Sequence, residues 1–396
     1  MNRKLIVILL ILFILAGGLV GLYMVRSKQS GTPQTFWGFF FGGSQPPTNN
    51  PPVTPNFPPD NTTGTTTSPV IPPVSLLEKP GLTLLANGFA SGAAFTQKGD
   101  IHYATRDTGN LYTFNVASGT TARYSNITVP ASYATQFSTK GDVALLSSNE
   151  RGVVKHTLLT TVASTANEST LPDALHSPAL SPDGTRIAYR EDGVDGAKIR
   201  VRTLSGKVAD ATIYTSVLQD IVVSWVNPSL LLVSTKASYK KDAVAMLITL
   251  SGGITELSLP LRGLTALPSP SNNRSLISHI SADGELILSA FKKGENTTLP
   301  IHTFSEKCTW SKVSIDVVYC AVPTAINSQQ LPDAWWKGDV SFTDEIWKLD
   351  LKEGSATRIR ENTNMDIVEL SVSSKDELLL FRNKKNASLW AYNLVK

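Results

Sequence analysis

The chain has 396 residues, of which 41% are hydrophobic and only 17% charged, with a formal net charge of +4. That length and apolar content support a large buried core and exclude wholesale disorder. Through Ser75 four basic residues (Arg3, Lys4, Arg26, Lys28) stand against one acid, Asp60, so the remainder is almost neutral. It lacks the basic excess of a nucleic-acid binder that works by phosphate neutralisation.

The chain opens with Leu5 to Val25, 21 residues without a charge. As a helix this run spans about 31 Å, matching a hydrocarbon core of about 30 Å. It predicts a single-pass, uncleaved anchor within residues 1–30. The alternative is a cleaved signal peptide, whose apolar run is about 7–15 residues and ends at a small-residue site. Here Ala16-Gly17-Gly18 falls mid-run, and no Cys follows to mark a lipoprotein. The basic flanks nearly balance and do not orient the span. The linker composition and the cysteine pair favour a body on the extracytoplasmic side of the cytoplasmic membrane. Just past the span, the aromatic cluster from Gln34 to Gly43 fits either the lipid interface or a collapsed piece of linker.

Gly31 to Ser75 holds eleven Pro and twelve Ser or Thr, with Asp60 as its sole charge. Proline removes backbone donors and favours extended polyproline II, so residues 31–78 read as a disordered Pro/Ser/Thr-rich linker. The third region, 79–396, has no convincing amphipathic helix. Short runs rich in Val, Ile, Leu, Thr and Tyr are broken by Gly, Asp, Asn and Pro, the pattern of an all-β chain. A unit recurs, clearest at Ser177 to Lys207 and repeated at Ala93 to Thr121. Seven copies, near 90–128, 131–168, 175–216, 219–259, 262–305, 307–362 and 364–396, give roughly 44 residues each, the period of propeller blades. Six and eight blades are the neighbouring counts. The last copy has room for only three strands (Val368–Val372, Glu377–Arg382, Leu389–Leu394). The strand-like Leu82 to Ala86 is predicted to complete it, closing the ring.

The segment Leu180 to Tyr189, LSPDGTRIAY, resembles the repeat of TolB-type and WD-repeat-like β-propellers, in which a Ser-Pro-Asp-Gly turn joins the first two strands of a blade. Ser281-Ala282-Asp283-Gly284, Thr139-Lys140-Gly141-Asp142 and Gln97-Lys98-Gly99-Asp100 read as the same turn in other copies. Asp-Gly suits it, since Gly accepts positive φ and Asp bonds nearby backbone. The resemblance covers nearly all of 80–396 and implies an all-β, seven-bladed propeller. TolB also carries an amino-terminal α/β domain, whose place here is taken by anchor and linker, so its cellular role does not transfer. The arrangement is also similar to membrane-anchored bacterial propeller proteins, a likeness that implies no function.

Cys308 and Cys320 are the only cysteines. Pairing symmetric about residue 314 sets them opposite each other, and Trp310 opposite Val318, within disulfide range. The alternative is two free buried thiols. Pro323 to Thr343 interrupts the sixth copy and gathers Asp333, Trp335, Trp336, Lys337 and Asp339. Adjacent tryptophans beside acids suit stacking on a sugar or anchoring a protein; the alternative is a lid that buries the rings. Trp335 and Trp336, supported by Asp333 and Asp339, are therefore the candidate binding residues. No Gly-x-Ser-x-Gly elbow, metal-ligand spacing or phosphate loop appears, so no catalytic residue, metal or cofactor is predicted.

The sequence thus predicts a membrane-anchored propeller acting as a binding or scaffolding module for an envelope protein or surface glycan, with no nucleic-acid partner. One alternative is a propeller hydrolase or lyase acting on a cell-surface polysaccharide. A second is a purely structural envelope protein.

Overall fold

The computed structural model describes residues 74–395, apart from 163–164, 207–208, 293 and 328–329. The expected anchor and the linker through residue 73 lie outside the described residues. Among those described, no helix is long and apolar enough to cross a membrane.

Seven four-stranded antiparallel sheets make up the body. Six blades follow one another at 90–123, 132–170, 176–216, 221–256, 265–298 and 308–360, each running from its innermost to its outermost strand. The seventh takes three strands from Ile367–Val372, Leu378–Asn383 and Leu389–Asn393 and its outermost from Leu82–Ala86. In that closure Leu82, Thr83 and Leu84 pair with Tyr392, Ala391 and Trp390. The ring is therefore sealed by the amino-terminal strand, leaving no open blade. The head also begins inside the stretch expected to be linker. Leu76 is buried in a 3-10 turn, Leu76–Glu78, and its amide donates to Val116 O at 2.8 Å.

Burial follows position in the blade. Second strands are the most buried, as in Leu378–Asn383, which opens on the apolar run Leu378 to Phe381. The outermost strands Thr120–Arg123 and Glu295–Thr298 are polar and exposed throughout, which discourages edge pairing with other chains. Innermost strands pack closely around the axis. A Cβ on Gly92 would lie 2.1 Å from Thr135 O of the next blade, so no larger residue fits there.

The Ser-Pro-Asp-Gly turn works as expected in the third blade, where Gly184 has φ +72° and the Arg186 amide donates to the Ser181 hydroxyl. Ser138, Ser269 and Ser373 accept from the amide five residues on in the same way. One assignment needs correction. Ser281-Ala282-Asp283-Gly284 joins the second and third strands of the fifth blade, Ser275–Ile280 and Leu286–Lys292. The first turn of that blade is the glycine-free 269–274. Asp-Gly chemistry suits any tight antiparallel connection, so the motif alone does not identify which turn it closes.

Cys308 and Cys320 form a disulfide, with Cα atoms 4.0 Å apart. The register is the expected one, with Trp310 opposite Val318. It ties the innermost strand of the sixth blade to its neighbour.

Candidate functional site

The interruption of the sixth blade joins its second strand, Val317–Pro323, to its third, Asp344–Asp350. Connections between second and third strands share one end of a propeller with the crossovers between blades, so the insertion can reach across that end. It carries the short helix α1, Asp333–Lys337, stopped by Gly338 at φ +85°. Asp333 accepts from the Tyr239 amide at 2.7 Å and the Ser238 hydroxyl at 3.3 Å, holding α1 to the fourth blade. Lys384 of the seventh blade donates to Trp335 O at 2.7 Å.

Consecutive helical residues point about 100° apart, so the two tryptophans serve different neighbours. Trp335 is 1% exposed, stacks on Phe304 at 4.9 Å, and donates through Nε1 to Asp366 Oδ2 at 3.0 Å. Trp336, also 1% exposed, donates through Nε1 to Glu306 Oε2 at 3.0 Å. Neither ring forms an open stacking platform. The insertion folds inward because these large apolar surfaces leave water there. Asp339 is exposed on the outer side of the same loop.

Beneath α1 lies a fully buried charge cluster. Lys307 Nζ bonds Asp344 Oδ2 at 2.8 Å and Asp366 Oδ1 at 2.7 Å, with all three side chains inaccessible. Burial, reinforced by the nearby Asp366 charge, pushes the Asp344 carboxyl up to about 6 against the pull of Lys307. Burial would also raise Asp366. There Lys307, the Phe342 amide and the Trp335 indole outweigh it and hold the carboxyl below its ordinary value. The cluster joins three segments that meet when the sixth and seventh blades pack together: the crossovers on either side of the sixth blade and the end of the insertion.

Next to it lies a cavity of about 330 Å³, walled by innermost strands of the third, fourth, fifth and seventh blades, the second strand of the fourth blade, Leu230–Thr235, and Trp335 and Trp336. Most of the wall is apolar, including Val222, Leu232, Leu264, Leu267 and Val368, with hydroxyls from Ser224, Ser234 and Thr235. Two acids face in, Glu306 and Glu369. Glu369 is neutralised by Arg382 through bonds of 3.0 and 2.6 Å. Glu306 is enclosed by protein but keeps surface on the cavity side. Burial pushes its carboxyl up to about 7, against the Trp336 bond and the Lys307 charge. Among the described residues no cation forms an ion pair with Glu306, because the ammonium of adjacent Lys307 is engaged by Asp344 and Asp366.

The predicted tryptophans and Asp333 are thus gathered at one end of the channel, and Asp339 stands outside it. Glu306, Lys307, Asp344 and Asp366 did not emerge from the sequence. Their one signal was a charged pair, Glu306-Lys307, set between Phe304 and the apolar Cys308-Thr-Trp strand. Among the described residues, no group of three His, Cys, Asp or Glu could hold a metal ion.

No protein-family model matches the sequence, and no curated protein matches it. Solved structures share its architecture. An oligogalacturonate lyase in complex with manganese superposes with a TM-score of 0.55 at 12% identity, covering 80% of this chain and 93% of the lyase. Virginiamycin B lyase from Staphylococcus aureus gives 0.51 at 15% identity, covering 79% and 99%. TolB from Acinetobacter baumannii gives 0.42 at 12% identity, covering 75% and 77%. Identities this low speak to fold alone. The protein is a seven-bladed β-propeller, the architecture implied by the resemblance to the TolB-type and WD-repeat-like repeat.

Proposed function

We propose that the protein is a binding module of the cell envelope: a propeller held outside the cytoplasmic membrane by an amino-terminal anchor, binding its partner at the insertion end of the channel. The observation that carries this reading is the mostly apolar cavity under α1, with an acid that no cation among the described residues pairs with. Burying a carboxyl this way is costly, and a structural role would be served better by an apolar side chain. Concave, mostly apolar pockets with a few convergent polar groups are the usual form of ligand sites. This counts against the purely structural alternative.

The polysaccharide hydrolase or lyase remains the second reading, since a carboxyl near 7 suits proton transfer at neutral pH. It is the weaker one for an acidic polysaccharide. Such a polyanion needs cations, and Arg382 at this cavity is already paired with Glu369.

Photo-crosslinking side chains placed at Asp339, on the insertion, and at Lys98, in the turn at the opposite end of the first blade, test the reading in the native envelope. A partner captured from Asp339 and competed away by purified protein supports it. Capture from Lys98 alone, or from neither position, counts against it.

A further inference from the structure

We propose that the channel cavity takes a small, mostly apolar organic cation, a protonated amine whose nitrogen pairs with the Glu306 carboxylate. The inference deepens the binding-module reading and rests on it, by naming the ligand chemistry that the cavity fits.

Charge comes first. Of the two acids facing the cavity, Glu369 already has a bidentate guanidinium partner. Glu306 has one hydrogen bond, from Trp336, although an ionised carboxylate has about four acceptor sites. Glu306 also lines the cavity, where a ligand can reach it. A bound ammonium would supply the missing counter-charge and, by displacing water from the cavity side of the carboxylate, form a charge-assisted bond stronger than one at an open surface. Spare N–H donors of a primary amine could be met by the wall hydroxyls of Ser224, Ser234 and Thr235. The apolar remainder of the ligand would lie against Val222, Leu264 and Leu267. An anion would meet Glu306, and no Lys or Arg among the described residues lines the cavity to offset the repulsion.

The wall also carries backbone strain. Ser177 and Glu369 both line the cavity and adopt φ +48° and +55°, at bulges in the innermost strands of the third and seventh blades. Non-glycine residues held in this region cost free energy and cluster at ligand sites.

The pH dependence follows from the groups around Glu306. Trp336 approaches from α1 and Lys307 from the same crossover, with its ammonium bonded to Asp344 and Asp366. The paired Glu369 and Arg382 come from the seventh blade. Only ionised Glu306 would hold the amine. With a midpoint of about 7, it is about one-tenth ionised at pH 6 and nine-tenths at pH 8, so affinity should rise about tenfold between them.

The experiment is calorimetric titration of the full-length protein in detergent with 2-phenylethylamine and its neutral isostere 2-phenylethanol, at pH 6 and pH 8. The proposal expects the amine to bind at pH 8 at least tenfold tighter than the alcohol, and about tenfold tighter than at pH 6. In Glu306→Gln both differences should disappear while the alcohol still binds, showing that the cavity is intact. If the alcohol binds as tightly as the amine in the native protein, the cation inference fails while the cavity stands as a ligand site. If neither compound binds, both the inference and the cavity's assignment as the binding site fall.

Discussion

Glu306→Gln should make the protein more stable at alkaline pH. The substitution keeps an oxygen that can accept from Trp336 Nε1 and removes only the ability to ionise. In the native protein the carboxyl sits at about 7, against an ordinary 4.5. The folded state thus binds this proton more tightly than the unfolded chain does. Its contribution is fully present below 4.5 and is lost as pH rises through 7. At 1.36 kcal/mol per pH unit the loss is about 3 kcal/mol. That is an upper value, since the cavity side of the carboxyl is open to screening. Asp344 titrates over a similar range in both proteins, so comparing variant with native cancels it. Urea unfolding at pH 4.5 and pH 8 should give a difference, variant minus native, that moves in the variant's favour by about 1–3 kcal/mol at the higher pH. A difference independent of pH, or one favouring the native protein at pH 8, would refute the assignment of an uncompensated acid. A residue kept at a cost to stability is the expected mark of a functional group.

Lys307→Met should be among the most damaging single changes, costing about 3–5 kcal/mol in urea unfolding by leaving Asp344 and Asp366 buried without a counter-charge. Combining it with Asp344→Asn and Asp366→Asn should recover much of that loss. Trp335→Ala should cost about 3–5 kcal/mol in the same assay, because it empties a fully buried site and removes the stack on Phe304. Cys308→Ala/Cys320→Ala should lower stability by about 2–3 kcal/mol under oxidising conditions and leave reduced samples indistinguishable from native. Protease shaving of intact cells should release the head if it lies outside the membrane; full protection would overturn the extracytoplasmic placement.

The propeller was legible because its information is local and repeated. LSPDGTRIAY fixes a turn and two strands, and the pattern recurs at a regular period. Even the closing strand could be found, since a last copy with three strands needs a fourth and Leu82–Ala86 was unassigned. The disulfide was legible for the same reason: two short strands around a turn define their own register. The site was not, because its residues come from separate crossovers and an insertion that meet only once neighbouring blades pack. Lys307 and Asp366 are 59 residues apart and touch across a blade. The tryptophans were visible as a cluster, but their burial depends on Phe304, Asp366 and Glu306, which arrive from the flanking crossovers. The misplaced Ser281–Gly284 turn has a related cause, since turn chemistry reports local geometry and carries no count of strands.

The most direct test of the central claim, that the acid under α1 faces a ligand site, is the indole N–H spectrum of Trp336 in ¹⁵N-labelled protein. That N–H donates to Glu306, while the Trp390 indole donates to Ser388 in the seventh blade. The account predicts that the Trp336 signal titrates with a midpoint near 7 and shifts again when 2-phenylethylamine is added at pH 8, while Trp390 stays in place. A Trp336 signal unmoved by either pH or the amine would contradict it.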